Sequence, residues 1–277
     1  ARADDDVKAS IHFHVDESLH DGGAWTNSTD GWKYCYSDGY CARSKYAQID
    51  GATYYFNGDA VMATGWVTFD AAWHWMTPSG RMATGWTKVD GSWYYLNASG
   101  AMATGWVNVN GYWYYLNGNG SMATGWTAVN GKWYYLTGNG AMAIGWVNDG
   151  GTWYYLAPDT GVMATGWTMI DGAWFMFSSG GAMSTGWVSS SGDWYYLNPS
   201  GSMHTGWLQL DGRWYMLGDN GAMVIGWKLS GSSWYYFDAS GAMHTGWLQV
   251  GSTWYYFGSG GDMYTGGHWI GWRWYSF

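Results

Sequence analysis

The sequence predicts an all-β fold, a solenoid of stacked β-hairpin repeats of about 20 residues each. Three observations lead there. The motif Met-x-x-Gly-Trp returns every 20 residues from Met62 to Met243, with one step of 21 between Met142 and Met163. A second tryptophan follows the first seven residues later, as in Trp86 and Trp93 or Trp207 and Trp214. Between many of these pairs stands Asp-Gly or Asn-Gly: Asp90-Gly91, Asn110-Gly111, Asn130-Gly131, Asp171-Gly172 and Asp211-Gly212. These dipeptides tolerate the positive φ angles of a type I′ turn, which makes each unit a hairpin followed by a Gly-rich link.

The turn sets the register. With Asp90 and Gly91 as the loop, Val89 pairs with Ser92, Lys88 with Trp93, and Trp86 with Tyr95. Side chains alternate along a strand and cross-strand partners share a face. Trp86, Trp93 and Tyr95 therefore share one face, and Thr87, Tyr94 and Leu96 the other. A lone hairpin is marginal in water, so neighbouring units must stack to bury the second face.

Composition agrees with a repeated aromatic unit. There are 26 tryptophans, 24 tyrosines and 45 glycines, and charged residues are only 11% of the chain. The net charge of −9 and the absence of a Lys/Arg stripe exclude a nucleic-acid binder. No apolar run is long enough to span a membrane. The chain opens without an apolar leader, which predicts a mature or engineered start.

Cys35 and Cys41, six apart, fit neither a redox nor a zinc motif, and a local disulfide in an extracellular protein explains both. Trp25 and Trp32 repeat the seven-residue spacing, and Trp32-Lys33-Tyr34-Cys35 aligns with Trp93-Tyr94-Tyr95-Leu96. Cys35 then takes the Leu96 position and Cys41 the Met102 position, so the disulfide replaces an apolar Leu–Met contact. Tyr46 and Thr53 stand where the next unit should have its two tryptophans. At the other end Gly267 takes a tryptophan position, and Trp274-Tyr275-Ser276-Phe277 echoes Trp-Tyr-Tyr-Phe. The expected organisation is residues 1–24 as an N-terminal tail with a candidate capping strand, and residues 25–277 as the repeat solenoid with atypical units at both ends. Ala1–Asp6 read as an acidic tail and Ile11–Val15 as the strand.

Core packing accounts for Tyr94, Leu96 and their equivalents. It accounts less well for two indoles on one face of every hairpin. Aromatic walls without neighbouring charge hold a quaternary ammonium by cation–π attraction or stack on a sugar ring. Other candidates are weaker. His12 and His14 have no third ligand, and His204 and His244 fill the variable slot of Met-x-x-Gly-Trp. Glu17 is the sole glutamate, and no carboxylate pair of the kind a glycosidase needs is evident. The reading is a binding module with no cofactor, not an enzyme.

The stretch Gly105-Trp106, Trp113-Tyr114-Tyr115-Leu116-Asn117 and Gly120-Ser121-Met122-Ala123-Thr124-Gly125-Trp126 resembles the choline-binding (cell-wall-binding) repeat family of Gram-positive surface proteins and lytic enzymes, and the resemblance covers residues 25–277. It implies attachment to choline or phosphocholine groups on teichoic-acid-type wall polymers, in cages between consecutive hairpins. Two tryptophans of one unit form two walls, the second tyrosine of the next unit's Trp-Tyr-Tyr forms the third, and the intervening methionine lines the floor. Carried over, the cages are Trp66, Trp73 and Tyr95 with Met82, then Trp86, Trp93 and Tyr115 with Met102. Further cages are Trp106/Trp113/Tyr135, Trp126/Trp133/Tyr155, Trp167/Trp174/Tyr196, Trp207/Trp214/Tyr236 and Trp227/Trp234/Tyr256, with Trp25/Trp32/Tyr55 at the N-terminal end. On this mapping Met176, Met216 and Ser276 deprive Trp146/Trp153, Trp187/Trp194 and Trp247/Trp254 of a third aromatic wall. Two rival readings stand beside it: a glucan- or glycan-binding repeat module, and an extracellular fibre or surface-layer protein whose units join end to end.

Overall fold

A computed structural model of the chain describes residues 22–277. The expectations for Ala1–Asp6, Ile11–Val15, His12, His14 and Glu17 lie outside the described residues. Within them the backbone forms thirteen antiparallel hairpins, each a separate two-stranded sheet. They fall into two compact units, one up to Ala143 and one from Ile144 to Phe277.

The register is the one the turns dictate. In the hairpin of Gly85–Val89 and Ser92–Leu96, Trp86 pairs with Tyr95, Lys88 with Trp93 and Val89 with Ser92. Asp90 has φ 48° and Gly91 φ 85°, the two left-handed residues of a type I′ turn. Hairpins whose turns are Asn110-Gly111, Asn130-Gly131, Asp171-Gly172 and Asp211-Gly212 repeat the geometry.

Alternation then decides what is buried. In the eleven hairpins between the first and the last, the last residue of the second strand lies on the face opposite the paired tryptophan positions. Leu96, Leu116, Leu136, Leu156, Leu197 and Leu217 are fully buried there, with Phe or Met taking the place at Phe56, Met76, Phe177, Phe237 and Phe257. Burying such a side chain contributes about 1.5–3 kcal/mol, so a row of them binds one hairpin to the next. The Gly-rich link is ordered by backbone bonding. Leu96 forms a β-bridge with Met102, and the N–H of Met102 donates to the carbonyl of Trp73 at 2.7 Å. Met102 follows one hairpin and bonds to the one before it, so the link sews those two hairpins together. Gly120, in the next link, has φ 81°, and a Cβ there would lie 2.2 Å from Met102 Sδ. Glycine is needed at that position for its backbone angle and for room for the methionine.

Cys35 and Cys41 form the expected disulfide, across the same β-bridge that joins Leu96 to Met102, with Cα atoms 3.9 Å apart. Near it Ala42, Ala47, Ile49, Tyr54 and Phe56 form a small buried cluster, backed by Trp25 and Tyr34. At the far end Gly267 occupies the tryptophan position and the ring of Trp274 lies over it, where a Cβ would be 2.1 Å from Cζ2.

Candidate functional site

The first and second tryptophans of a hairpin sit diagonally on one face, and their rings meet at right angles. Trp66 and Trp73 have centroids 6.4 Å apart at 90°. Trp167 with Trp174, Trp207 with Trp214 and Trp227 with Trp234 repeat this at 6.5, 6.1 and 6.4 Å. The second indole is the open one: Trp73 is 48% exposed, while Trp66 is half-buried.

Trp174 and Trp234 are open in the same way. Trp174 is 41% exposed and Trp234 43% exposed. Their register explains it. Trp174 pairs with Met169 and Trp234 with Leu229, one residue pair from the turn, and both partners are themselves exposed. An indole near the tip of a hairpin has fewer neighbours to cover it than one near the buried last residue.

The third wall differs from the expected one. Tyr94, not Tyr95, stands against Trp66, at 4.9 Å and 67°. Likewise Tyr54 meets Trp25, Tyr114 meets Trp86, Tyr134 meets Trp106, Tyr195 meets Trp167, Tyr235 meets Trp207 and Tyr255 meets Trp227. The seam of Trp174 therefore holds Tyr195 where Tyr196 was expected, and the seam of Trp234 holds Tyr255 where Tyr256 was expected. The second tyrosines pack within their own hairpins. Tyr95 lies 5.2 Å from Trp86, Tyr115 5.2 Å from Trp106, Tyr135 5.1 Å from Trp126 and Tyr155 5.1 Å from Trp146. Tyr196 does the same with Trp187, Tyr236 with Trp227 and Tyr55 with Tyr46. Tyr256 lies against Trp247. The reason is strand alternation. A residue directly opposite its own tryptophan shares that face, so only its neighbour can point back to the preceding hairpin. The signal was in the register already, and it assigns Tyr94 to the face reserved above for core packing.

The same shift removes the three exceptions. Met176 pairs with Trp167 and Met216 with Trp207, inside their own hairpins. The residues that reach back are Phe175 to Trp146, Tyr215 to Trp187 and Tyr275 to Trp247, all aromatic. The methionine assignment moves as well. Met82 bonds through its N–H to Thr53, and it is Met102 that bonds to Trp73. In the second unit Met203 donates to the carbonyl of Trp174 at 2.7 Å and Met263 to that of Trp234 at 2.8 Å.

A cavity of about 300 Å³ results, lined by Trp66, Trp73, Tyr94, Met102, Gly118 and Asn119. A similar one, of about 330 Å³, is lined by Trp25, Trp32, Tyr54, Met62, Pro78 and Ser79. No ionised side chain lines either, so attraction for a cation would come from the negative faces of the rings. Trp86 with Trp93 and Trp106 with Trp113 have the corresponding partners in Met122 and Met142, whose N–H groups donate to Trp93 and Trp113 at 2.7 Å. Trp126 and Trp133 belong to the first unit, and their hairpin pairs Trp126 with Tyr135.

One seam departs from this plan. Between the hairpins of Lys45–Ile49/Ala52–Phe56 and Gly65–Phe69/Ala72–Met76, the three wall positions hold Tyr46, Thr53 and His74. Tyr46 and His74 meet at 5.5 Å and each is only 6% exposed. Tyr46 Oη and His74 Nδ1 are buried without a hydrogen-bond partner. Burial raises the Tyr46 phenol above its usual range and lowers the His74 imidazole below 6.5, with a backbone hydrogen bond at Ala72 and then the Asp70 carboxylate opposing the latter shift. Elsewhere, His204 and His244 bond through Nε2 to the carbonyls of Trp207 and Trp247. Among the described residues no group of three or more His, Cys, Asp or Glu could hold a metal.

The family model described as choline-binding repeat matches residues 63–104, 103–145, 123–165, 164–203, 184–226 and 224–268, and the putative cell wall binding repeat matches 44–59. No curated protein sequence matches the chain. Among solved structures, CbpJ from Streptococcus pneumoniae is 35% identical over 80% of this chain and 94% of its own, with a TM-score of 0.62. Choline binding protein F of the same organism is 30% identical over 88% and 99%, with a TM-score of 0.64, and has also been solved in the presence of a peptidoglycan analogue. The choline-binding domain of CbpL, also from S. pneumoniae, is 34% identical over 68% and 100%, with a TM-score of 0.51.

Proposed function

The chain belongs to the choline-binding repeat family, and on that footing we propose that it attaches, without catalysis, to cell-wall polymers bearing choline or phosphocholine. The observation that carries the reading is the cavity whose indoles Trp66 and Trp73 stand at right angles, with the Tyr94 phenol against Trp66 and no formal charge in its lining, and its counterpart lined by Trp25, Trp32 and Tyr54. A trimethylammonium group placed there meets ring faces on several sides at once and loses little by leaving water, because it donates no hydrogen bond. Each cage taken alone is a weak site. Several cages on one array meeting one polymer raise retention through effective concentration.

The disulfide fits an oxidising compartment, consistent with a secreted protein held at the bacterial cell wall or cell surface.

Titration with choline tests the reading. Tryptophan fluorescence should change and the melting temperature rise at millimolar choline, since a ligand confined to the folded state stabilises it. A response to glucan oligosaccharides with none to choline would transfer the assignment to a carbohydrate-binding module.

A further inference from the structure

The cage at Trp25 and Trp32 has a feature the cage at Trp66 and Trp73 lacks. Arg81 donates its Nε–H to the hydroxyl of Tyr54, at 3.3 Å, and Tyr54 is the wall that stands 4.9 Å from Trp25. Arg81 sits in the same link as Pro78 and Ser79, which close the side of that cavity, and the backbone of Arg81 bridges to that of Tyr54. Its side chain is exposed to solvent. The corresponding residues of other links are Ala101, Ser121, Val162 and Asp262, and no other link carries a base there. In the Trp66/Trp73/Tyr94 cage the equivalent residue is the neutral Ser121.

We propose that the Trp25/Trp32/Tyr54 cage is selective for choline carried as a phosphate ester over free choline, with Arg81 as the group that receives the phosphate. This rests on the choline reading of the cages. In a choline ester only two carbons separate the quaternary nitrogen from the phosphoester oxygen. In the proposed pose a head group held between Trp25, Trp32 and Tyr54 directs its phosphate outward, toward the exposed Arg81 beside Pro78 and Ser79. The bond from Nε to Tyr54 fixes the plane of the guanidinium and leaves its outer N–H groups free, a fork that matches two phosphate oxygens. Free choline offers that fork nothing, and its positive charge is mildly repelled by it. Arg81 is itself exposed, so its contact with a phosphate is screened by water and the expected preference is about three- to five-fold in affinity.

The experiment uses the full chain with ¹⁵N-labelled arginine and tryptophan. The Arg81 Nε–H resonance is identified by its loss in Arg81→Gln, and the Trp32 indole N–H by its loss in Trp32→Phe. Choline chloride, phosphocholine and inorganic phosphate are titrated separately. Phosphocholine should half-saturate the Trp32 shift at a concentration about three- to five-fold below that of choline. In Arg81→Gln the two ligands should become equal at Trp32, while the Trp66 indole, as the folding control, responds as in the parent. Equal half-saturation in the parent protein would overturn the proposal, and so would inorganic phosphate moving Arg81 as readily as phosphocholine does. If neither choline nor phosphocholine moves any indole signal, the choline reading itself has failed. A Trp32 response to both ligands with no preference defeats the Arg81 proposal alone.

Discussion

Two neighbouring seams of the first unit share one backbone and differ in three side chains. Between hairpins 65–76 and 85–96 the positions hold Trp66, Trp73 and Tyr94, and the second indole is exposed beside a cavity. Between hairpins 45–56 and 65–76 they hold Tyr46, Thr53 and His74, and both rings are buried. The link bonding is the same in each, Met102 N–H to Trp73 at 2.7 Å and Met82 N–H to Thr53 at 2.8 Å. The stacking of hairpins is thus maintained by the link and by the buried row of Leu and Phe. Whether a seam opens into a cage is decided separately, by side chains that the scaffold does not need. Threonine in place of the outer tryptophan removes a wall, and the smaller Tyr–His pair closes inward.

The largest effect should come from striking the two outer positions in turn. Trp73→Ala should weaken choline at its own cage about ten-fold or more, in line with losing a desolvated cation–π wall. Thr53→Ala should leave every cage unchanged. Fluorotryptophan NMR, one signal per indole, reads both, and a loss of choline response after Thr53→Ala would erase the distinction between the seams.

Reduction of Cys35–Cys41 comes next. The closed loop is short, so the cross-link contributes about 2 kcal/mol, felt mainly in the adjoining hairpins. Hydrogen exchange should quicken over residues 25–60 and stay unchanged from residue 85 onward. Global unfolding on reduction would mean that the closed seam and the cages are one cooperative body.

The closed seam should also be the acid-sensitive one. The folded His74 has its pKa below the ordinary 6.5, because burial disfavours the imidazolium more than the Ala72 backbone and the Asp70 carboxylate together favour it. As pH falls through 6.5 the unfolded chain takes up a proton that the folded seam does not, so stability is full above that value and declines below it. Hydrogen exchange at 45–76 should rise between neutral pH and pH 5 relative to 85–116, and His74→Phe should flatten the difference. A parent protein whose seam is as protected at pH 5 as at pH 7 would show that His74 finds a partner when protonated.

The smallest difference expected is between Trp113→Ala and Trp153→Ala. Both break cages with a third aromatic wall, Tyr134 in one and Phe175 in the other, so choline losses should agree within about two-fold, the phenol hydroxyl adding little to a cation–π contact. A much milder loss at Trp153 would argue that Phe175 does not act as a wall.

The hairpins, their turns and their register were readable from Asp90-Gly91 and its repeats, because a two-residue turn leaves only one pairing. The tryptophan walls followed from the seven-residue spacing across that turn. How far the outer ones stand open, Trp174 and Trp234 among them, was not in the spacing, because exposure depends on what the next hairpin covers. The family pattern carried over as a triplet points to Tyr95 as the third wall, but Tyr95 shares the face of its own Trp86 and Tyr94 does not. Period-two alternation alone separates Tyr94 from Tyr95. The partner of each methionine was harder to foresee, since the link bonds to the hairpin before the one it follows, and nothing in residues 97–102 states that distance. The substitution of Tyr46 and Thr53 was visible. Their meeting with His74 depended on the same face assignment, and the reach of Arg81 to Tyr54 needed the fold of the link.

The cavity beside Trp66 takes its walls from hairpins 65–76 and 85–96 and from the link after hairpin 105–116, through Gly118 and Asn119. An occupant of it would therefore act as a cross-brace over three successive turns of chain. Prising away any one of the three, by a pull along the array or by fraying, must first empty the cavity. Ligand binding energy then counts against separation at each of those joints. Under load, a polymer-bound array should yield first at a joint with no cavity to fill.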